Sequence, residues 1–191
     1  MDNKIKVCHI ARMNNIVRKI KKLFINPYYL FLDKISHELY AKKLGVNMGD
    51  NCHIYGKVSW GTEPWIITLG NNVHVTADCR FVTHDGATLL FRDQEPTLEL
   101  TRPITIGNEV YIGARSTIMG GVTIGDKVII GTGAVVTHDI PANSVAVGVP
   151  AKVIKTADEY FEKAKKESLG LGHLKYEKKD KALKEYYHYK G

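Results

Sequence analysis

The sequence has few cysteines and no long apolar segment. Its three cysteines, Cys8, Cys52 and Cys79, include no C-x-x-C pair, so paired-cysteine metal and redox motifs are absent. Cys52 and Cys79 stand at apolar positions where a small buried thiol fits, and we predict that both are core residues. No window reaches the roughly 18 consecutive apolar residues of a membrane-spanning helix. The N-terminus lacks the charged-then-apolar layout of a secretory signal, so we expect a cytoplasmic protein.

The charge of the chain is unevenly distributed. The 191 residues are 44% hydrophobic and 25% charged, which is typical of one main domain with small appendages. The net charge is +7, but the lysines concentrate near the two ends and form no basic stripe with interleaved aromatic residues. This pattern argues against a nucleic-acid partner. It is consistent with anionic small molecules or an anionic membrane surface as partners.

The middle of the chain repeats with a period of six residues. A β-branched apolar side chain opens each hexad, the residue after it is usually glycine, and the fifth position is small or apolar. The branched series is Ile106, Ile112, Ile118, Ile124, Ile130 and Val136, and the fifth-position series is Val110, Ser116, Val122, Val128, Ala134 and Ile140.

This period predicts a mainly β protein built as a β-solenoid. Neither a helix nor an ordinary strand has a period of six, whereas stacked hexads form short flat strands and turns around a continuous core. Three hexads, or about eighteen residues, would close one triangular coil. We expect the branched residues to point inward and the turn glycines to adopt backbone angles that a Cβ would oppose.

Weaker hexads extend upstream to about residue 46. Leu69, Val75 and Phe81 belong to the inward series. Two segments interrupt the count: residues 60–65 shift the register, and residues 85–103 carry no hexad. A structureless loop as long as the second one is uncommon in a compact domain unless it is functional.

The two ends of the chain are predicted to be helical caps that cover the open ends of the solenoid. We divide the chain into an N-terminal helical region, 1–45, a β-helical domain, 46–155, and a C-terminal helical extension, 156–191. Helical spacing runs from Ile16 to Phe24 and again from Phe31 to Leu39.

At the C-terminal end, Thr156 and Glu159 form a capping box that opens a helix ending before Gly170. A second helical stretch covers about residues 175–187. In the N-terminal region, one helix face is basic, with Arg18, Lys19, Lys21 and Lys22. We interpret this face as solvated, and peripheral contact with an anionic membrane is the alternative.

Three short motifs accompany the repeat. Residues 81–86 (FVTHDG) precede the long loop, residues 103–108 (PITIGN) follow it, and residues 147–152 (VGVPAK) leave the repeat. Together with the hexads, they make residues 46–155 resemble the hexapeptide-repeat acyltransferase superfamily. The most similar branch contains maltose, galactoside and xenobiotic acetyltransferases and the O-acetyltransferases of capsule or lipopolysaccharide.

The resemblance implies a left-handed parallel β-helix, shaped as a triangular prism, that assembles as a homotrimer. Its active sites would lie at subunit interfaces, with residues 85–103 reaching over the adjacent subunit. The implied reaction transfers the acetyl group of acetyl-CoA, without a metal, to a saccharide hydroxyl in surface polysaccharide biosynthesis. The alternative acceptor is the amine of an amino sugar nucleotide or of an antibiotic.

The resemblance also implies roles for individual residues. His84 matches the catalytic histidine, and an imidazole is a suitable base for an acceptor hydroxyl. Asp85, its neighbour, is a weaker candidate for orienting it. The cofactor-binding candidates are Tyr111, Gly113, Ala114, Thr132, Thr137, His138 and Lys152, of which the two threonines could equally be turn residues and Lys152 would lie near the nucleotide phosphates.

The acceptor pocket is expected to use Tyr55, Trp60 and Trp65, whose rings could stack on a sugar or could equally pack in the core or in an interface. Two other functions compete with this interpretation. Gamma-type carbonic anhydrases bind zinc through three histidines on a similar prism, but the spacing of His53, His74 and His84 does not match theirs, so we expect no metal. A non-catalytic trimeric scaffold is the other alternative.

Overall fold

The computed structural model describes residues 27–28 and 31–189. Most of the N-terminal helical region lies outside these residues, including the predicted stretch from Ile16 to Phe24 and the basic face. Residues 31–35 are helical and lead into helix α1, His37–Leu44. Ser36 caps α1 by accepting a hydrogen bond from the amide of Leu39, and Gly45 ends it with a left-handed φ of 110°, which glycine adopts without strain.

The apolar face predicted for this helical region does not pack on the described chain. The side chains of Phe31, Ile35 and Leu39 are 61%, 60% and 39% exposed, whereas Leu32 and Ala41 are buried. The spacing therefore predicted a helix correctly, but the side chains that it placed on the packed face are exposed. Residues 31–35 and α1 are separate helical segments, since position 36 between them is not helical.

Thirteen short strands of the described chain form three sheets, which make the faces of a prism. Every strand pair within the sheets is parallel except the last, β12 with β13. Sheet A contains β1 (Asn47–Met48), β3 (Ile67–Leu69), β6 (Ile104–Ile106) and β9 (Thr123–Ile124). Sheet B contains β2 (His53–Tyr55), β4 (His74–Thr76), β7 (Tyr111–Ile112), β10 (Ile129–Ile130), β12 (Ser144–Val147) and β13 (Lys152–Thr156). Sheet C contains β5 (Arg80–Val82), β8 (Thr117–Met119) and β11 (Val135–Val136).

The coils are stacked in register along one column of turn residues. Asn108 and Asp126 are hydrogen-bonded across 18 residues, the length of three hexads. Asn71 and Asn108 are hydrogen-bonded across 37 residues because the excursion at residues 85–103 lies between them. Asp50 and Asn71 are separated by 21 residues because the segment around residues 60–65 adds to its coil. Both insertions therefore leave the stacking of the coils intact.

The core fills the prism as the hexads predicted. All the branched residues from Ile106 to Val136 are at most 1% exposed, and all the fifth-position residues from Val110 to Ile140 are at most 5% exposed. Phe81 stacks on Trp60, with ring centroids 4.8 Å apart. Cys79 is buried and Cys52 is partly buried against the core, so the prediction for the two thiols is confirmed.

The hexad glycines serve a different purpose from the predicted one. Left-handed backbone angles occur at Glu109, Arg115 and Lys127, two residues after the glycines that follow the branched positions. Gly113 itself is constrained by close approach, because a Cβ at this position would lie 2.5 Å from the backbone nitrogen of Thr132 in the next coil. Glycine is therefore required at this turn because the stacked coils approach closely, and not because of its backbone angle.

The excursion at residues 85–103 has structure of its own. It begins with a 3-10 helix, Gly86–Phe91, and its two ends are pinned together. The amide of Asp85 donates to the carbonyl of Leu100, and the amide of Arg102 donates to the carbonyl of Thr83, each at 2.8 Å. The predicted excursion between β5 and β6 is therefore present, and its first part is a 3-10 helix that the sequence did not indicate.

The C-terminal end of the prism is covered by β13 and by the first of two helices. β13 runs antiparallel to β12 and covers that strand's outer edge, which would otherwise expose unpaired backbone groups. Helix α2, Ala157–Glu167, follows directly, with the predicted capping box of Thr156 and Glu159. Helix α3, Tyr176–Tyr186, agrees with the second predicted stretch. No helix among the described residues is long and apolar enough to cross a membrane.

Candidate active site

His84 lies where sheet C ends and the excursion leaves the prism. It follows β5 and forms an antiparallel bridge with Thr101, on the returning arm of the excursion. The pairs at Thr83 and Asp85 hold the backbone on both sides of it. The side chain of His84 is 41% exposed, so a fixed backbone presents an accessible imidazole.

A carboxylate from an earlier coil contacts this imidazole. Glu63 Oε2 lies 3.1 Å from His84 Nδ1, and Thr62 Oγ1 lies 3.0 Å from the same nitrogen. The hydroxyl of Thr83 donates to Glu63 Oε2 at 2.6 Å, and the hydroxyl of Thr62 donates to Glu63 Oε1 at 2.6 Å. Both carboxylate oxygens therefore have partners.

These contacts define which ring nitrogen of His84 carries the proton. The only hydroxyl hydrogen of Thr62 is donated to Glu63, so Thr62 Oγ1 can only accept from the imidazole. Glu63, as a carboxylate, also only accepts. Nδ1 therefore carries a proton, and in the neutral imidazole the lone pair is on Nε2, which has no hydrogen-bond partner among the described residues.

The surroundings of Glu63 favour its ionised form. The hydroxyls of Thr62 and Thr83 hold the pKa of Glu63 below its ordinary value, with a smaller contribution from His84. Hydrogen bonds donated to a carboxylate stabilise the charged state. Glu63 is thus a carboxylate across the neutral range, as an orienting partner of a histidine must be.

Asp85 does not take the orienting role that the sequence suggested. Its carboxylate accepts a hydrogen bond from the amide of Ala87 at 2.9 Å and caps the 3-10 helix of the excursion. The turn into the 3-10 helix directs this carboxylate to the amide of Ala87, and no hydrogen bond joins it to His84 among the described residues. The assignment of Asp85 is corrected in favour of Glu63.

The imidazole borders a cavity of about 420 Å³ at the end of sheet C. Thr137, one of the predicted cofactor-binding residues, lines the same cavity. Arg102, from the returning arm of the excursion, places a cation there as well, and Met119 and Gly120 form part of the floor. The cavity therefore combines a free imidazole nitrogen, a hydroxyl and a positive charge.

Most other predicted cofactor residues lie elsewhere on the same chain. Tyr111 is on sheet B, and Gly113, Ala114 and Thr132 lie at the corner where sheet B turns into sheet C, stacked in successive coils. His138 is exposed beside Thr137, whose Oγ1 is 2.8 Å from its Nδ1. Lys152 is exposed at the start of β13. One chain brings only Thr137 and its neighbour His138 to the end of sheet C.

The three aromatic acceptor candidates have different environments. Trp60 is 3% exposed and stacks on Phe81 in the core, which agrees with the core alternative and removes its ring as a stacking surface for a sugar. Trp65 is 64% exposed and Tyr55 is 54% exposed. Tyr55 forms part of a row of rings on sheet B and contacts His74 Nδ1 through its hydroxyl at 2.9 Å.

The three histidines of the zinc alternative do not converge. His53 and His74 stack with ring centroids 5.0 Å apart on sheet B, whereas His84 follows a strand of sheet C. Among residues 27–28 and 31–189, no group of three or more histidine, cysteine or acidic side chains is arranged to hold a metal ion.

The stacked pair on sheet B makes a pH-dependent contribution to stability. Desolvation lowers the pKa of His74, and the neighbouring His53 lowers it further. The unfolded chain therefore binds more protons than the folded chain as the pH falls below the ordinary histidine value of about 6.5. We expect the melting temperature to fall between pH 7.5 and 5.5, and to fall less in His74→Gln. Thermal unfolding at a series of pH values tests this, and identical pH dependence in both proteins would contradict it.

Sequence reasoning identified His84 but missed Glu63 and its two threonine partners. The segment at residues 60–65 was recognised only as a shift of register. The sequence did offer one signal for Glu63. It is a carboxylate inside an insertion one coil before His84, and stacked coils bring such positions together.

Comparisons with known proteins agree with this architecture. A family model for the hexapeptide repeat of succinyl-transferase matches residues 103–138. The chain is 38% identical over 143 residues to protein CapG of Staphylococcus aureus, which covers 74% of this chain and 81% of CapG. It is 35% identical over 163 residues to the galactoside O-acetyltransferase of Escherichia coli strain K12, covering 70% and 77% of the two chains.

Among solved structures, a galactoside acetyltransferase in complex with coenzyme A aligns with a TM-score of 0.52 and 27% identity. The alignment covers 75% of this chain and 84% of that one. Similarity at this level over most of both proteins, together with the hexad core, shows that the chain belongs to the hexapeptide-repeat acyltransferase superfamily.

Proposed function

We propose that this chain is an acetyl-CoA-dependent acetyltransferase that modifies a saccharide hydroxyl, with His84 as the general base. The observation that carries the proposal is the hydrogen bonding of His84. Glu63 and Thr62 hold Nδ1, so Nε2 is the nitrogen that can accept a proton. The imidazole borders a cavity of about 420 Å³ that a substrate can enter.

The proposed reaction needs no covalent enzyme intermediate. The acceptor hydroxyl donates its proton to His84 Nε2 while its oxygen attacks the carbonyl carbon of the thioester. The carbon–sulfur bond then breaks, the acetyl group remains on the acceptor oxygen, and the proton passes from the imidazolium to the departing thiolate. Glu63 stabilises the imidazolium between these two steps, as the carboxylate of a hydrolase triad does.

The coenzyme groove is proposed to form between copies of the chain in a homotrimer of left-handed prisms. Tyr111, Gly113 and Ala114 lie on sheet B and its corner, away from the end of sheet C that carries His84. A groove that uses both sets of residues therefore requires a second copy. Thr132 and Lys152 would contribute from the same side as Tyr111, and Thr137 and His138 from the side of His84.

A saccharide acceptor is supported by the relatives. The galactoside O-acetyltransferase of Escherichia coli is named for a sugar acceptor, and we extend this class to the present chain, with a role in surface polysaccharide synthesis. The exposed rings of Tyr55 and Trp65 are the proposed stacking surfaces for the sugar.

The proposal is tested by incubating the full chain with isotope-labelled acetyl-CoA and a panel of free sugars, nucleotide sugars, amino sugars and polysaccharide fragments. We expect acetyl transfer to a saccharide as an ester, which alkaline hydroxylamine cleaves. A product that resists this treatment would be an amide and would change the acceptor from a hydroxyl to an amine. Absence of both transfer and coenzyme binding would overturn the proposed function and favour a scaffold.

A further inference from the structure

A second cavity, of about 670 Å³, lies at the other end of sheet C from His84. Three cationic side chains line it: Lys57, Arg80 and Arg115. Asp33, Asp78 and Thr117 also line it. Sequence reasoning assigned no role to these cations.

Three successive coils and one strand bring the cations together. Lys57, Asp78 and Arg115 occupy the corner between sheets B and C. There the amide of Asp78 donates to the carbonyl of Lys57 at 2.7 Å, and the amide of Arg115 donates to the carbonyl of Ala77 at 3.0 Å. Arg80 follows two residues after Asp78, in β5. The positions of all the cations are therefore determined by the stacking of the prism rather than by a mobile loop.

The cations are not neutralised by carboxylates. Among residues 27–28 and 31–189, Lys57, Arg80 and Arg115 form no ion pair. Asp33 is engaged with His37 Nδ1 at 2.7 Å, so Asp78 is the only other carboxylate lining the cavity. Unpaired cations around one cavity attract an anionic ligand group.

The cavity lined by Lys57, Arg80 and Arg115, which we call the basic cavity, and the cavity beside His84 lie along the same strands. Arg80 and Thr117 line the basic cavity, and Val82 and Met119, two residues further along β5 and β8, line the other. Arg80 and His84 are on the same side of the extended chain, so they are about 13 Å apart at 3.3 Å per residue. One substrate molecule can therefore reach both.

We propose that the basic cavity binds the phosphate groups of a nucleotide-linked sugar acceptor whose hydroxyl lies at His84. This inference rests on the proposed function. Arg115 follows Gly113 and Ala114 of the proposed coenzyme groove, but Lys152, the proposed ligand of the coenzyme phosphates, follows the last parallel coil whereas Lys57 belongs to the first coils; we therefore assign the cavity to the acceptor. Arginine binds phosphate oxygens through two parallel hydrogen bonds, and Arg80 and Arg115, neither of which forms an ion pair among the described residues, are available to do so.

The test measures binding of inorganic pyrophosphate, uridine diphosphate and coenzyme A to the full chain by calorimetry. The variant is Arg80→Gln combined with Arg115→Asn, since asparagine tolerates the left-handed φ of 61° at position 115. The control, Lys163→Gln with Lys181→Gln, removes the same charge from α2 and α3. Thermal unfolding checks that each variant is folded. We expect the variant to lose at least about tenfold in affinity for pyrophosphate and uridine diphosphate, and neither it nor the control to lose affinity for coenzyme A.

Equal affinity of wild type and variant for both phosphate probes, or no binding of either by the wild type, would overturn the proposal. A parallel loss of coenzyme A affinity would assign the cavity to the coenzyme and would also overturn it. The proposed function fails separately: phosphate binding that depends on Arg80 and Arg115, without acetyl transfer to any acceptor, would contradict the acetyltransferase assignment alone.

Discussion

Replacing His84 with alanine is expected to lower kcat by about 10²- to 10⁴-fold, the usual contribution of a general base. The affinity for coenzyme A should change little, because the imidazole acts on the acceptor proton. Thermal unfolding should also change little, since the side chain is 41% exposed. Steady-state acetyl transfer, with coenzyme binding measured separately, checks this expectation. Activity retained within about threefold would remove His84 from the mechanism.

Comparing Glu63→Gln with Asp85→Asn tests which of the two carboxylates orients His84. For Glu63→Gln we expect a loss of kcat on the order of 10- to 100-fold, as when other histidines lose the partner that orients them. Asp85→Asn should lower kcat less than Glu63→Gln does, because Asp85 contacts the amide of Ala87 and not the imidazole. The reverse order would restore the original assignment of Asp85.

Replacing Phe81 with alanine is expected to lower the free energy of unfolding by about 3–5 kcal/mol. Phe81 is 1% exposed and stacks on Trp60 inside the prism, so the truncation would leave a cavity that the stacked coils cannot close. Urea denaturation at a fixed protein concentration measures the effect, because an oligomer's stability depends on concentration.

Trp65→Ala is the matched control for this core substitution. It also removes a large aromatic ring, but from a position that is 64% exposed, so we expect a change within about 0.5–1 kcal/mol. Similar midpoints for the two variants would contradict the assignment of Phe81 to the core.

The core could be predicted from the sequence because its periodicity is a direct consequence of the fold. Every branched hexad position is buried, from Ile106 to Val136, since a coil of three hexads returns each such residue to the same inward position. The role of the turn glycines could not be predicted from one coil. Gly113 is limited by the backbone of Thr132, a contact that exists only between stacked coils.

Part of the candidate site could also be predicted from the sequence, and part of it could not. His84 could be found from its motif ahead of the excursion, a local feature of the chain. Glu63 could not, because the hydrogen bond to His84 joins two coils across 21 residues and depends on how the insertion at residues 60–65 is accommodated. The adjacent Asp85 was the natural choice in sequence, but the excursion turns its carboxylate to the amide of Ala87.

The sequence by itself therefore determined the prism, its core and the position of the proposed catalytic histidine, because each of these depends on a periodic or contiguous pattern. Only the tertiary structure decided the partner of His84, the burial of Trp60 and the grouping of Lys57, Arg80 and Arg115 around one cavity. The physical reason is that side-chain contacts between coils depend on stacking register. That register follows from backbone pairing and inserted segments, which a one-dimensional pattern does not contain.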